Sequence, residues 1–133
     1  MTLKPLSMPT RSNMQAADDA VDNPIDKMRD CPVMTTVAIV GGRWKPRILW
    51  HLRSCTASFG ELQRATQASE RMLSKGLREL EADGVITRTV VPMGKVVTTQ
   101  YAFSKSGLTL APVLDAMGHW GLHHRRSQSR LLG

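Results

Sequence analysis

Cysteine is scarce: Cys31 and Cys55 are the only two and 23 residues separate them. That is too few for a disulfide framework, and the spacing is not that of a CxxC zinc site. No apolar run approaches the length of a membrane span. Residues 1–30 hold Pro5, Pro9, Asp18, Asp19 and Asp22, which leaves no uninterrupted stretch of the kind a signal peptide needs. Also missing are a Ser-His-Asp order, paired catalytic carboxylates and a Gly-rich phosphate loop. The expectation is a cytoplasmic protein with no membrane partner, no cofactor and no catalytic residues. Acidic side chains are the remaining shortage, 11 against 18 Lys and Arg, for a formal charge of +7. The deficit is uneven: residues 1–30 hold four basic and five acidic side chains, and the rest of the chain holds 14 and six. A surplus confined to the part that folds favours a polyanion, of which nucleic acid is the commonest.

With 133 residues the chain has room for one compact domain and a tail. Residues 1–30 lack any sustained period and read as a flexible arm with a helical turn near 14–21. Residues 31–124 read as the folded domain, and 125–133 as a frayed basic tail.

Residues 69–83, SERMLSKGLRELEAD, organise the domain. At 100° per residue Leu73, Gly76, Leu77 and Leu80 gather on one side, and Arg71, Ser74, Lys75 and Arg78 on the other. Ser69 suits the N-cap, Glu70 the positive helix end and Gly84 the stop. Upstream, Ser58 and Glu61 have the spacing of a capping box for a short helix ending near Ala65. Two helices joined by three or four residues fit helix-turn-helix geometry, in which the second helix enters the major groove of duplex DNA. A solvated surface helix is the plain alternative. Downstream, 85–91 and 96–103 pair around Pro-Met-Gly-Lys as a β-hairpin, with Arg88 and Lys95 as cations near its tip. The resulting fold class is mainly α with a small β-hairpin, a winged helix-turn-helix.

Two further helices precede this unit. Pro32 opens the first, whose stripe of Val33, Val37 and Val40 ends at Gly41 and Gly42. Pro46 opens the second, with Ile48, Leu49 and Leu52 inward and Lys45, Arg47 and Arg53 toward water. Trp44 is expected to be buried between them. A last helix starts near Ser104 or Lys105 with a broad band of Leu108, Leu110, Leu114, Met117 and Trp120, where Pro112 marks a bend or a late start. The stripes of the first and last helices exceed what so small a core covers, and a homodimer is expected.

CPVMTTVAIVGGRWKPRILWHL, then FGELQRA, LSKGLRELEADGVITRTV and QYAFSKSGLTLAPVLDAMGHW appear in order, and together they resemble the HxlR-type winged helix-turn-helix transcriptional regulators over about residues 31–124. The resemblance implies a bacterial, DNA-binding homodimer joined through its first and last helices, and the two recognition helices of such a dimer are expected to meet a near-palindromic operator. The DNA-contacting set it points to is Ser69, Arg71, Met72, Ser74, Lys75 and Arg78 on the recognition helix, with Arg88 and Lys95 on the wing. Departures include Arg71 where relatives carry Lys, Gly76 inside the recognition helix, a shorter wing tip, and Gln100 before Tyr101.

Cys31 stands at a helix N-terminus, which favours thiolate, beside Arg29 and Asp30. The resemblance implies that the Cys at this place senses oxidants or electrophiles, with a small-molecule or oxidant effector; the alternative is a small buried hydrophobe. Cys55 has no motif behind it. His119 and His123 are spaced i, i+4, next to His124, but no third ligand completes a metal site, so no metal is expected. Two other readings stand beside the regulator: a winged-helix protein-interaction module without specific DNA binding, and, further off, a thiol enzyme using Cys31.

Overall fold

The computed structural model describes residues 31–132. The helical turn expected at 14–21, and Arg29 and Asp30 beside Cys31, lie outside them. The chain divides into two compact units, residues 1–38 and 39–133. The described part of the first is most of helix α1 (Pro32–Val40), whose opening bond runs from the Thr35 N–H to the Cys31 carbonyl at 3.2 Å.

The second unit begins with the end of α1 and continues through α2 (Lys45–Leu52), β1 (Ala57–Ser58), α3 (Phe59–Thr66), α4 (Glu70–Ala82), β2 (Ile86–Met93), β3 (Val96–Phe103), a single turn α5 (Lys105–Leu108) and α6 (Ala111–Leu132). Helices α2, α3 and α4 pack on one another and on an antiparallel sheet of order β1-β3-β2. Ile48 and Leu49 of α2, Leu62 of α3, and Leu73, Leu77 and Leu80 of α4 are sealed in the core between them. Each such side chain contributes about 1.5–3 kcal/mol relative to an exposed one. The core-facing residues expected of α2 and α4 therefore face the core.

Local signals set the boundaries. Ser58 Oγ accepts from the Glu61 N–H while the Glu61 carboxylate accepts from the Ser58 N–H, completing the capping box. Ser69 Oγ accepts from the Met72 N–H to cap α4. At the other end of α4, Gly84 takes φ +77°, Val85 N–H reaches the Leu80 carbonyl and Gly84 N–H that of Glu81. That is a Schellman stop. Buried Val85 and Leu80 supply its apolar contact.

Several expectations need correction. Trp44 is half-buried at the edge of the core, not enclosed. Lys45, expected to face water, is mostly covered and pairs with Glu79 at 3.2 Å, while Arg53 is exposed as expected and pairs with Asp115 at 3.5 Å. The hairpin turn contains Gly94 and Lys95 alone, since Met93 pairs with Val96. Positive φ at Gly94 but not at Lys95 fits a two-residue turn of the II′ kind. Pro92 belongs to β2, an edge strand, where a residue without an N–H costs no ladder bond on the open side. A third strand, β1, pairs Ala57 with Tyr101 and was not expected. Pro112 marks a late start, in the first turn of α6. The residues set apart as a tail continue α6 to Leu132.

Two glycines govern how α5 and α6 lie on this frame. A Cβ on Gly118 would fall on the Trp50 ring, 2.6 Å from Cζ3, so the ring of Trp50 lies in the space that a side chain at this place on α6 would take. Gly107, in α5, faces the Val85 carbonyl so closely that a Cβ would overlap its oxygen, with the carbonyl carbon at 2.8 Å. Backbone cannot swing aside as a flexible side chain can. Gly107→Ala is expected to cost about 3 kcal/mol or more by overpacking, read as a lower urea midpoint at unchanged slope. An unaltered midpoint would show that α5 is not held this closely.

Candidate nucleic-acid interface

The turn between α3 and α4 sets the pose of the recognition helix. Gln67 adopts φ 61° and is the only non-glycine residue at positive φ among those described. That conformation costs an L-residue roughly 1–2 kcal/mol, so neighbouring bonds must hold it. Thr66, fully buried, donates from Oγ1 to the Leu62 carbonyl at 2.7 Å and accepts from the Ala68 N–H at 3.3 Å. Arg47 Nη1 donates to the Thr66 carbonyl at 3.2 Å, tying α2 to the same turn. Thr66 was not singled out from the sequence, and Arg47 was expected only to face water, because their bond joins positions 19 residues apart.

From this turn α4 projects with Leu73, Gly76, Leu77 and Leu80 buried and Arg71, Lys75 and Arg78 exposed. Met72 and Ser74 are half-buried beside that front, and Ser69 is exposed at its cap. Of the six residues expected there, Arg71, Lys75 and Arg78 form the exposed front, Ser74 lies beside it, Ser69 caps the helix and Met72 packs partly against the core. Gly76 explains its own presence: a Cβ there would come within 3.1 Å of Ile48 Cδ1 and 3.6 Å of Lys45 Cγ. The glycine lets α2 approach α4 closely, against a cost of about 1 kcal/mol in helix propensity.

The wing cations part company. Arg88 pairs across from Tyr101 near the base of the hairpin, not near the tip as expected, and its side chain hydrogen-bonds the Tyr101 hydroxyl. Ser74, Leu77, Arg78 and Glu81 of α4 line a cleft with Arg88 and Tyr101. Lys95 alone is at the tip, between exposed Met93 and Val96. Burial pushes the Tyr101 phenol above its ordinary value; Arg88 pulls the other way and Glu81 adds to the rise.

On the far side of α4, residues 41–45 and Met72, Lys75, Gly76 and Glu79 line a cleft of about 150 Å³. The Trp44 ring there carries two guanidiniums, Arg43 at 4.9 Å and Arg47 at 5.2 Å from its centroid. Cation–π contacts of this kind are worth about 0.5–1 kcal/mol at exposed sites. Cys31 precedes α1 as a half-buried free thiol. Cys55 is exposed, its Sγ 3.8 Å from His51 Nε2, a partner not read from the sequence. His124 lies flat on Trp120, ring centroids 4.8 Å apart.

The HxlR-like helix-turn-helix family profile matches residues 39–129. An uncharacterized HTH-type transcriptional regulator of Bacillus subtilis (strain 168), YdeP, is 39% identical over 102 residues, which span 76% of this chain and 79% of that protein. Among solved structures, the redox regulator HypR in its reduced form matches with a TM-score of 0.68 at 33% identity, over 74% of this chain and 98% of HypR. The oxidised form of HypR matches at 0.64 and 35%, over 70% and 96%. The HTH-type transcriptional regulator ytcD matches at 0.65 and 38%, over 71% and 97%.

Tyr101 is the only tyrosine in the chain, so its titration can be read without overlap. Because its folded-state pKa lies above the ordinary tyrosine value of 10.0, the native state holds the proton longer than the unfolded chain. Its contribution to stability is complete below pH 10 and is lost as pH rises through the folded value. Phenolate absorbance is expected to appear only above pH 10, and Arg88→Ala to move it further up. A midpoint at or below that of free tyrosine would contradict the burial.

Proposed function

This chain belongs to the HxlR-like helix-turn-helix family, and on that premise we propose that it regulates transcription by gripping a near-palindromic operator as a homodimer. One observation carries the reading: the front of α4 presents Arg71, Lys75 and Arg78 to solvent, while its back is locked into the core by leucines with almost no exposure. A helix so anchored keeps its side chains in place as a groove is entered, and arginine can fork onto guanine or phosphate. A pure protein-interaction module would have no use for this cationic front. The dimer is supported by apolar side chains that a single chain leaves in water: Val33, Met34 and Val37 on α1, and Met117, Trp120 and Leu122 on α6.

Arg71, in the first turn of α4, is the base-reading residue of this proposal, and Arg78, two turns on, is a backbone contact. Footprinting is expected to show two half-sites about 10 base pairs apart or a multiple of that. Arg71→Ala should cost about 1–3 kcal/mol on the operator and little on random duplex. Arg78→Ala should weaken both alike and lower the salt slope by about one unit. A single unrepeated half-site, or equal losses for both variants on both DNAs, would sink these assignments.

The likeness to HypR, known in reduced and oxidised forms, supports a response to oxidants or electrophiles at Cys31. Its carbonyl accepts the first hydrogen bond of α1, so a modified thiol acts on the start of a helix assigned to the dimer contact. Cys31→Ser is expected to bind the operator but ignore diamide, while Cys55→Ser responds like the wild type. Release of DNA by diamide from Cys31→Ser would return Cys31 to a packing role.

A further inference from the structure

We propose that Arg43, in the turn between α1 and α2, is a DNA-phosphate contact that holds the strand opposite the one reached from the wing. The proposal rests on the DNA-binding reading above and adds a residue that lies outside both the helix-turn-helix and the wing.

The argument starts from the flanks of α4. At 100° per residue, Ser74, Leu77, Arg78 and Glu81, which line the wing cleft, centre about 160° away from Met72, Lys75, Gly76 and Glu79, which line the cleft with residues 41–45. The exposed cationic front lies between these two flanks, and the leucine back lies opposite it. A helix about 10–12 Å across nearly fills a major groove about 12 Å wide. Side chains carried beside its two flanks then face the two phosphate rims. Arg88 and Arg78 occupy the wing flank; Arg43 and Lys75 occupy the other.

Of the cations on the α2 flank, Lys45 is held by Glu79 at 3.2 Å and mostly covered, and Arg47 donates to the Thr66 carbonyl. Arg43 is exposed, and no carboxylate lies within ion-pair distance of it among the described residues. Its guanidinium rests over Trp44, which restricts the side chain before any ligand arrives and so lowers the ordering cost of binding. Gly42, at φ +95°, gives the turn a backbone shape that residues with a Cβ rarely adopt.

The experiment uses the full chain on operator and random duplex across a salt series. Arg43→Gln is expected to lose about tenfold in affinity on both DNAs and to lower the salt slope by about one unit. Arg43→Lys, which keeps the charge, should retain the wild-type slope. In ethylation interference with Arg43→Gln, phosphates on the wing-side strand should still interfere, while one on the other strand falls silent. Thermal melting of each variant separates binding from folding. The proposal is overturned if both variants keep the wild-type slope, or weaken binding only in step with lost stability. Wild-type protein that binds no duplex at all would instead bring down the DNA-binding reading, and Arg43 with it.

Discussion

Everything that faces outward in this protein depends on what α4 buries. Leu73, Leu77 and Leu80 have essentially no exposure, and Gly76 between them admits Ile48 of α2 to within contact distance. Rotating the helix by one residue would carry about 100° of the apolar back into water and drive a charged side chain toward Ile48. The hydrophobic term therefore fixes the rotation, and the rotation fixes which side chains are offered. The two clefts flanking the cationic front follow from the same choice, because α2 and the wing are the elements against which that back is packed.

Rotation alone does not fix direction; the ends of the helix do. At its start, buried Thr66 bonds both back into α3 and forward to Ala68, and Arg47 pins the same residue from α2, so the αL conformation of Gln67 is held by three hydrogen bonds. At its end, the Schellman stop passes directly into Val85, whose carbonyl accepts from the Ser104 N–H at 3.0 Å, while Ser104 Oγ donates to the Gly84 carbonyl at 2.6 Å. The base of the wing is thus tied to the end of the recognition helix, and the tip, with Met93, Val96 and Val97 exposed, is not. A hairpin fixed at its root and free at its point suits contact with a surface whose exact shape varies along a DNA sequence.

Much of this was legible because it is encoded locally. The 3.6 period of the leucines, the Ser58 and Ser69 caps and the stop at Gly84 act within a few residues and lie where the pattern placed them, and the Val and Thr runs pair as expected but around a tighter turn. The elements that were not legible depend on partners distant in sequence. β1 is two residues long and exists only because β3 passes beside it. Arg88 looked like a tip residue until the register showed it opposite Tyr101, since the turn is tighter than Pro-Met-Gly-Lys suggested. The continuation of α6 past residue 124 had been masked by its basic composition, which reads as a tail when no neighbour is known. The cation–π contacts of Arg43 and Arg47 with Trp44 depend on where the ring lies, which no local pattern gives.

Net charge is the sequence property that the structure reinterprets most. A formal +7 says only that a polyanion is favoured, and it counts every cation alike. In the folded chain Lys45 is paired with Glu79, Arg53 with Asp115 while its guanidinium lies 3.6 Å over the Trp50 ring, and Arg88 is engaged by Tyr101 near Glu81. The two ion pairs join α2 to α4 and the end of α2 to α6. The cations left for an outside partner around α4 are Arg71, Lys75 and Arg78 on its face, Arg43 beside one flank, Arg88 beside the other and Lys95 at the wing tip. A fully solvated cation gains most from a phosphate, because it surrenders no existing pair when it binds and still displaces a condensed counterion. The ion pair of Lys45 with Glu79 braces α4 against α2 and leaves Arg71, Lys75 and Arg78 on its outer face unpaired among the described residues.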